Sequence, residues 1–462
     1  MENEPIKHKD NKYIKDMTEG EPLALILSLA IPLLIGNFFQ QAYSDSIIVG
    51  RYSGKISLGA VGATNSIMFF INSLTIGLSV GIGIVVAQFF GAKEDEEVKN
   101  TIGNGYYIVF IIALFVTFIG FFFSEHLLNI LNTPKDVFPF AMTYLKTTSM
   151  GFIPIGFFNL LSSILRALGD SKTPLLFLIL SCIINISLDL IFLLKFNLGV
   201  MGVGIATILS QFIASLLCFI YALLNNSYFR LKNKDFKFNK NIFTKILKVG
   251  IPVSSQSSLI ALSLLALQKV VNSFGSDFVT SFTVVTRIEQ LVQHPFMSFG
   301  AAVATFTGQN IGAGKIERVK LAFIKAITCS TCFAIFIFIV FQIFAQKIVN
   351  MFGNDPMVEK YSIVGLKITF SFYIFLGFIH ISRNVLNGAG DAKFCLINGI
   401  VECIGRVGFA KPLTMIPFLK LNGIWLTTGI TWLLNGIFST VRYKQGKWKT
   451  ISLVESNKLT IV

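Results

Sequence analysis

The chain reads AQFFGAKEDEEVKN at residues 87–100 and GQNIGAGKIERVKL at residues 308–321. Gln88, Gly91, Ala92, Val98 and Lys99 return as Gln309, Gly312, Ala313, Val319 and Lys320, each 221 positions later. LRALGDSK at 165–172 returns as LNGAGDAK at 386–393, with Leu165, Gly169, Asp170 and Lys172 repeated at the same offset. Ala30-Ile31-Pro32 is echoed by Gly250-Ile251-Pro252 at an offset of 220, so one residue has been gained or lost between the copies. Self-similarity at a fixed spacing marks a duplicated structural unit.

Composition says what the unit is. Of 462 residues 53% are hydrophobic, 47 are Phe and only 14% are charged, and mean hydropathy is +0.70. A soluble domain carries about a quarter charged residues, so this chain has too few to cover a water-facing surface, and a soluble enzyme is excluded. Disorder is excluded too, because it needs low hydrophobicity and high charge. About 20 apolar residues cross the hydrocarbon, and a helix satisfies its own backbone there. Twelve such runs are predicted, at approximately 23–50, 57–90, 101–123, 138–165, 174–194, 200–224, 246–272, 279–310, 320–345, 359–386, 394–416 and 421–441. Those near 30 residues must tilt, kink or protrude, with Pro32, Pro154, Pro252 and Pro295 as kink candidates. Six spans separate repeat equivalents, an even number, so the two halves share one orientation. The expected fold is an all-α polytopic membrane protein of twelve transmembrane helices in two pseudo-symmetric six-helix lobes, with a cavity between them. The organisation reads as an N-terminal tail (1–22), a first lobe of spans 1–6 (23–224), a basic linker (225–245), a second lobe of spans 7–12 (246–443) and a C-terminal tail (444–462).

The net charge of +15 is read by position rather than as a sign of nucleic acid, which is not an expected partner. Lys and Arg concentrate on the segments that share a side with the N-terminus, which places both termini in the cytoplasm of a cell-membrane protein. The heaviest contribution is the linker, with Arg230, Lys232, Lys234, Lys237, Lys240, Lys245 and Lys248, expected as a solvated topogenic loop. The polar N-terminal stretch lacks an apolar core and a small-residue cleavage site, so it is expected to stay attached. Cys182, Cys218, Cys329, Cys332, Cys395 and Cys403 all lie in apolar runs, and Cys329/Cys332, though a CxxC, reads as helix packing. Gly169 and Gly390 read as turn residues: no phosphate loop is spelled there, and no Walker motif supports ATP-driven transport. Gly77 and Gly81 fit close helix packing.

Ionisable residues within spans are costly and point to function. Asp45 in span 1 and Asp189 in span 5 each precede a basic residue, Arg51 or Lys195, by six positions, about 9 Å at helical rise, so the two acids share one depth. Asn185 lies one turn before Asp189 on the same face. Two carboxylates with an amide suit a proton or Na⁺, and Asp45, Asn185 and Asp189 would be the ligands if the ion is Na⁺. The repeat offers a check: Asp45 maps to Leu265, Asp189 to Ala410 and Asn185 to Arg406. The acid pair belongs to the first half alone, as expected for a coupling site rather than a scaffold requirement. In the second half Glu402 and Arg406 stand four apart in span 11, either as a structural ion pair or as cavity residues. Glu289, with Gln293 one turn on in span 8, is a further cavity candidate for cationic compounds unless Arg287 offsets it. Lys269 and Lys367 snorkel.

MTEGEPLALILSLAIPLLIGNFFQQAYSDSIIVGR (17–51), LGAVGAT, AQFFGA, LRALGDSKTPL and NISLDLIF, in this order, resemble the bacterial branch of the multidrug and toxic compound extrusion (MATE) family, from about residue 17 to 443. The resemblance implies two six-helix lobes in a V that alternates between inward and outward opening. It also implies Na⁺- or H⁺-driven export of organic, often cationic, compounds. By motif, Asp45, Asn185, Asp189 and Thr207 match the family's first-lobe cation site. The chain departs from some members in having uncharged residues around Ile260 of span 7, and Gln41, a cavity candidate, where those members have tyrosine. The expected activity is secondary multidrug antiport, with no cofactor beyond the coupling ion, small organic molecules and the bilayer as partners, no obligate protein partner and no enzymatic reaction. A flippase for lipid-linked precursors is the alternative and would need a cationic cavity; a channel or receptor is the more distant one.

Overall fold

The structure, a computed structural model, describes residues 14–42, 45–131, 133–352 and 355–454, with main chain alone at 42, 45–47, 55 and 392. Regular structure among the described residues is helical throughout. In the first half, span 1 is two helices, Pro22–Ala42 and Asp45–Tyr52; spans 2 and 3 are Gly54–Gly91 and Asp95–Phe122. Span 4 joins Phe138–Ser149 to Phe152–Ala167, span 5 is Lys172–Leu190 with a π turn at Ile191–Lys195, and span 6 is Gly199–Asn225. The second half repeats the order: Lys240–Val271, Ser276–Gly312, Ile316–Val349, Pro356–Ser371 with Tyr373–Ala389, Ala392–Met415 and Asn422–Lys444 are spans 7 to 12. Eight described helices are long and apolar enough to cross a membrane, ten when each bent pair counts as one. The two that fall short, spans 8 and 11, carry Arg287 and Glu289, and Glu402 and Arg406.

Several helices outrun the apolar stretches that predicted them, because polar residues extend and cap them beyond the hydrocarbon. Span 7 starts at Lys240, where Asn239 Oδ1 accepts from the Asn241 and Ile242 amides. Span 3 opens on Asp95, Glu96 and Glu97, acids that suit the positive end of a helix. Pro32, Pro252 and Pro295 sit inside continuous helices, whereas the sharp bends lie elsewhere. Span 4 turns by 49° at Met150-Gly151, just before Pro154, and span 10 turns by 47° at Phe372. Gly151 and Phe372 are 221 residues apart, so the bend is duplicated although the second copy has no proline. The turns that follow spans 4 and 10 are duplicated as well: Gly169 and Gly390 both have φ of 83°, a left-handed conformation that glycine adopts without Cβ strain.

Each lobe buries its own core. Ile82, Val86, Ile102, Leu161 and Ile164 pack together in the first, and Val285, Phe341, Phe370, Tyr373 and Trp425 in the second. Large apolar side chains also cover outward faces, such as Ile111, Phe115, Phe118 and Phe122 of span 3 and Ile324, Phe336 and Ile343 of span 9, the surface a hydrocarbon solvent favours. The linker is not the free loop that its charge suggested. Tyr228, Phe229 and Asp235 are buried, Tyr228 donates to Asp95 Oδ1 at 2.5 Å, and Asn104 bridges Lys237 O and the Asn239 amide.

The first span of each half crosses to the other lobe. Span 1 packs along spans 8 and 9 as well as span 5, and span 7 packs along span 2 as well as span 11. Gly77 and Gly81 of span 2 lie against Ser254 and Gly250 of span 7, with Ser254 Oγ donating to Leu74 O at 3.1 Å. The last hydrogen bond between these two helices, counting away from the termini, is Ser73 Oγ to Ser258 Oγ at 2.6 Å. Among the described residues no hydrogen bond joins residues 54–72 of span 2 to the second lobe. The lobes therefore meet most extensively on the side that carries residues 14–21, 447–454 and the linker; beyond Ser73 the described bonds between the halves continue only along span 1 and span 8, as far as Gln41 and Gln290.

Candidate functional site

The first-lobe candidates gather at spans 5 and 6. Asp189 is fully buried and Asn185 nearly so. Gln211 Nε2 of span 6 donates to Ser181 Oγ of span 5 at 3.2 Å. The two helices run antiparallel, so one turn forward from Ser181 and one turn back from Gln211 bring Asn185 opposite Thr207. The Thr207 hydroxyl donates to Val203 O at 3.0 Å. Asn185 Nδ2 is buried without a hydrogen bond. The outer helix of span 1, Asp45–Tyr52, packs against spans 5 and 6, and its Val49 is buried with Leu193 and Val203. Asp45 opens that helix one turn before Val49, but its side chain lies outside the described residues, and so does its predicted meeting with Asp189. Carboxylate, amide and hydroxyl oxygens are donors that suit a proton or a hard monovalent cation. Among the described residues no three His, Cys, Asp or Glu side chains cluster as a metal site.

In the second lobe Arg406 Nη2 and Glu402 Oε1 stand 2.9 Å apart, with side chains only 6% and 7% exposed. This pair anchors a buried chain of polar groups on spans 7, 11 and 12. Arg406 Nη1 donates to Ser263 Oγ at 3.0 Å, and Asn435 Nδ2 donates to Glu402 Oε2 at 3.1 Å. Asn398 donates to Asn435 Oδ1 and, at 2.9 Å, to Ser439 Oγ, while Gln256 Nε2 donates to Asn398 Oδ1 at 2.8 Å. A charge pair so surrounded has its desolvation offset by neighbours, and it joins three helices into one block.

Of the remaining candidates, Gln41 lies in the seam between span 1 and span 8, while Glu289 and Gln293 of span 8 lie against span 10. Asn37 Nδ2 donates to Ser298 Oγ at 2.9 Å, Phe38 meets the His294 ring edge-on at 6.0 Å, and Gln41 Nε2 faces Gln290 Oε1 at 3.5 Å. Glu289 and Gln293 are half-buried, and Tyr373 Oη lies 3.4 Å from Glu289 O. Arg287 is exposed two residues away on another face of the helix, so it does not pair with Glu289. A lateral recess between Leu27, Ile31, Pro295 and Phe333 is lined mainly by apolar side chains and by no charged one. Gln256, Asn398, Asn435 and the seam residue His294 were not singled out by the sequence. Their signal was present as isolated amides or a ring within apolar runs.

A family model described as MatE matches residues 32–191 and 252–409, one match in each half. The chain is similar to a probable multidrug resistance protein, YpnP, of Bacillus subtilis (strain 168): 30% identity over 449 residues, covering 95% of this chain and 98% of that one. It superposes with a TM-score of 0.88 on the outward-facing conformation of a multidrug resistance MATE family transporter of the MOP superfamily, at 26% identity over 95% of this chain and all of that one. A MOP superfamily transporter from Pyrococcus furiosus, whose binding pocket of reversed polarity suggests a different function, superposes with a TM-score of 0.89 at 26% identity over 96% of this chain and all of that one.

Proposed function

The chain belongs to the MatE family, and from that premise we propose that this multi-pass membrane protein is a secondary active exporter of organic, often cationic, compounds. Na⁺ or H⁺ moving inward through the Asp45, Asn185, Asp189 and Thr207 group drives it by antiport, with the lobes alternating their opening. The observation that carries the coupling role is Asp189, a carboxylate wholly buried in an apolar span whose repeat equivalent is Ala410. Burial of such a group is costly and favours a proton or cation as its companion.

The positive-inside bias puts the sealed side in the cytoplasm, so this conformation is outward-open, which its likeness to an outward-facing transporter supports. Binding of the ion moves the lobes only insofar as the ion prefers one conformation. An inward potential of 100 mV supplies about 2.3 kcal/mol per charge and one pH unit about 1.4. Together they sustain a few-hundred-fold gradient of a neutral compound per ion; export of a cation returns part of the electrical share. Gln41 in the seam, and Glu289 and Gln293 beside span 10, serve as polar contacts for cargo, and Glu402 with Arg406 stiffens the second lobe.

A lipid-linked precursor flippase is the second reading, considered because the reversed pocket polarity of one relative suggests a different function for that protein. It requires net positive charge in the cleft, whereas Arg406 is matched by Glu402 and the first-lobe group is acidic. Reconstitution into vesicles under imposed Na⁺ or H⁺ gradients tests the proposal, comparing the intact chain with Asp45→Asn and Asp189→Asn. Gradient-driven export lost in both variants is the expected result; export at the unaltered rate in both under either gradient overturns it.

A further inference from the structure

Two buried glutamines at the sealed side, Gln88 and Gln309, are equivalents in the repeat, and each uses its whole carboxamide across a boundary. Gln88 Nε2 donates to Gly388 O at 2.9 Å, and Gln309 Nε2 donates to Ala167 O at 2.7 Å. Ala167 and Gly388 are again 221 apart, so each glutamine grips the end of the bent span in the opposite lobe. Their carbonyl oxygens accept from the chain tails: Gln309 Oε1 from the Met17 amide at 2.8 Å, Gln88 Oε1 from the Leu453 amide at 2.9 Å. The tails are unrelated in sequence and enter from opposite ends of the chain, yet they occupy equivalent places.

Each tail touches both lobes. On the N-terminal side, the Lys15 amide donates to Leu168 O at 3.1 Å and Ile14 packs on the first-lobe core. Met17 is fully buried among second-lobe residues, and its carbonyl accepts from Asn310 Nδ2 at 3.1 Å and Arg318 Nη2 at 3.3 Å. On the C-terminal side, Trp448 is buried against the second lobe and stacks on Tyr443 at 5.3 Å. Five residues later Leu453 and Val454 pack on the first-lobe core.

We propose that the two tails are intramolecular latches of the sealed side, Met17 on Gln309 and Leu453 on Gln88, which set the balance between the two openings of the molecule. This rests on the reading that the lobes exchange openings, because parting them on the tail side must break the glutamine bonds to Ala167 and Gly388 and pull each tail off one of the two lobes it touches. The tails occupy sites that exist only while the lobes are closed there, so they stabilise that state as a ligand would.

The test is the distance between spin labels at Glu96→Cys and Glu317→Cys, on the full chain in lipid nanodiscs with the six native cysteines replaced. Leu453→Pro and Met17→Pro remove the donated amides while keeping the tails, Leu453→Ala keeps the amide as a control, and a chain ending at residue 449 removes one tail. Each amide lost is expected to raise the ratio of long to short distances about tenfold, the worth of one or two neutral hydrogen bonds, with the truncation at least as large and Leu453→Ala smaller. Equal long-distance populations in the intact chain, the proline variants and the truncation overturn the latch alone. A single short distance in every variant, with ion or organic cation added on either side, overturns the exchange of openings itself, and the latch with it.

Discussion

Gly91 and Gly312 clasp each other's neighbours: the main chain of Gly91 presses on the Gln309 carbonyl and that of Gly312 on the Gln88 carbonyl, so closely that a Cβ at either glycine would overlap the oxygen. The two contacts are related by the same pseudo-twofold axis as the repeat, and they are made only while the lobes meet on the tail side.

Gly91→Ala and Gly312→Ala are therefore expected to act alike. Overpacking of this kind costs about 1–3 kcal/mol, and the sealed state bears it alone, so the balance moves toward opening on the tail side by about tenfold or more. The rate of maleimide labelling of a cysteine at Ser254, which is buried in the seam, reports the shift. Unchanged labelling in both variants would show that the glycine contact is not what permits closure.

Ser73 and Ser258 mark the upper limit of the span 2 and span 7 hydrogen bonding, with their oxygens 2.6 Å apart. Ser73→Cys with Ser258→Cys is expected to form a disulfide, the side chains already pointing at one another. Oxidation should stop transport in vesicles and a reductant should restore it. The single variants serve as controls and should be insensitive to both.

Glu402 and Arg406 answer to the rule for buried ion pairs. Glu402→Gln leaves a buried guanidinium without its counter-charge and is expected to cost about 3–5 kcal/mol. Arg406→Met strands the carboxylate and costs a similar amount, while the double variant recovers most of the loss. Thermal unfolding midpoints in detergent measure all three, and a double variant no better than the singles would contradict the pairing.

Glu21, just before span 1, forms an ion pair with Lys325 of span 9. The Lys325 ammonium, followed by the Ala24 amide, holds its carboxyl at about 2 against an ordinary 4.5. A lowered acid contributes above its unfolded value and loses that contribution as pH falls through the folded one. The tie is thus complete above about pH 4.5 and disappears toward pH 2, so physiological acidification does not release it. Lys325→Ala should return the Glu21 titration toward 4.5, read from the carboxyl carbon shift. The pair is exposed, so added salt should weaken it at any pH.

Much of this architecture was legible from residues alone. The 221-residue offset and the apolar runs specified a duplicated fold of twelve helices, because burial in lipid constrains composition directly. The bend at Phe372 was not legible, since neither proline nor glycine marks it. The Gln256, Asn398 and Asn435 chain was missed because single amides in apolar helices carry no period. The tails were passed over as polar ends: Met17, Leu453 and Val454 are too few to form an apolar run, and only the folded seam gives them a place. Span 4 was expected to kink near Pro154 and does bend just before it, at Met150-Gly151, whereas span 10 has no proline to announce its bend.

Spans 1 and 7 each lie across the partner half, and this sets how the protein can be divided. A chain cut in the linker yields two six-helix fragments, each with one helix whose proper berth is on the other. Expressed singly, neither fragment can fill the furrow left on its own flank. Made in the same bilayer, they complete one another by exchange, so the smallest unit that stands by itself is the pair.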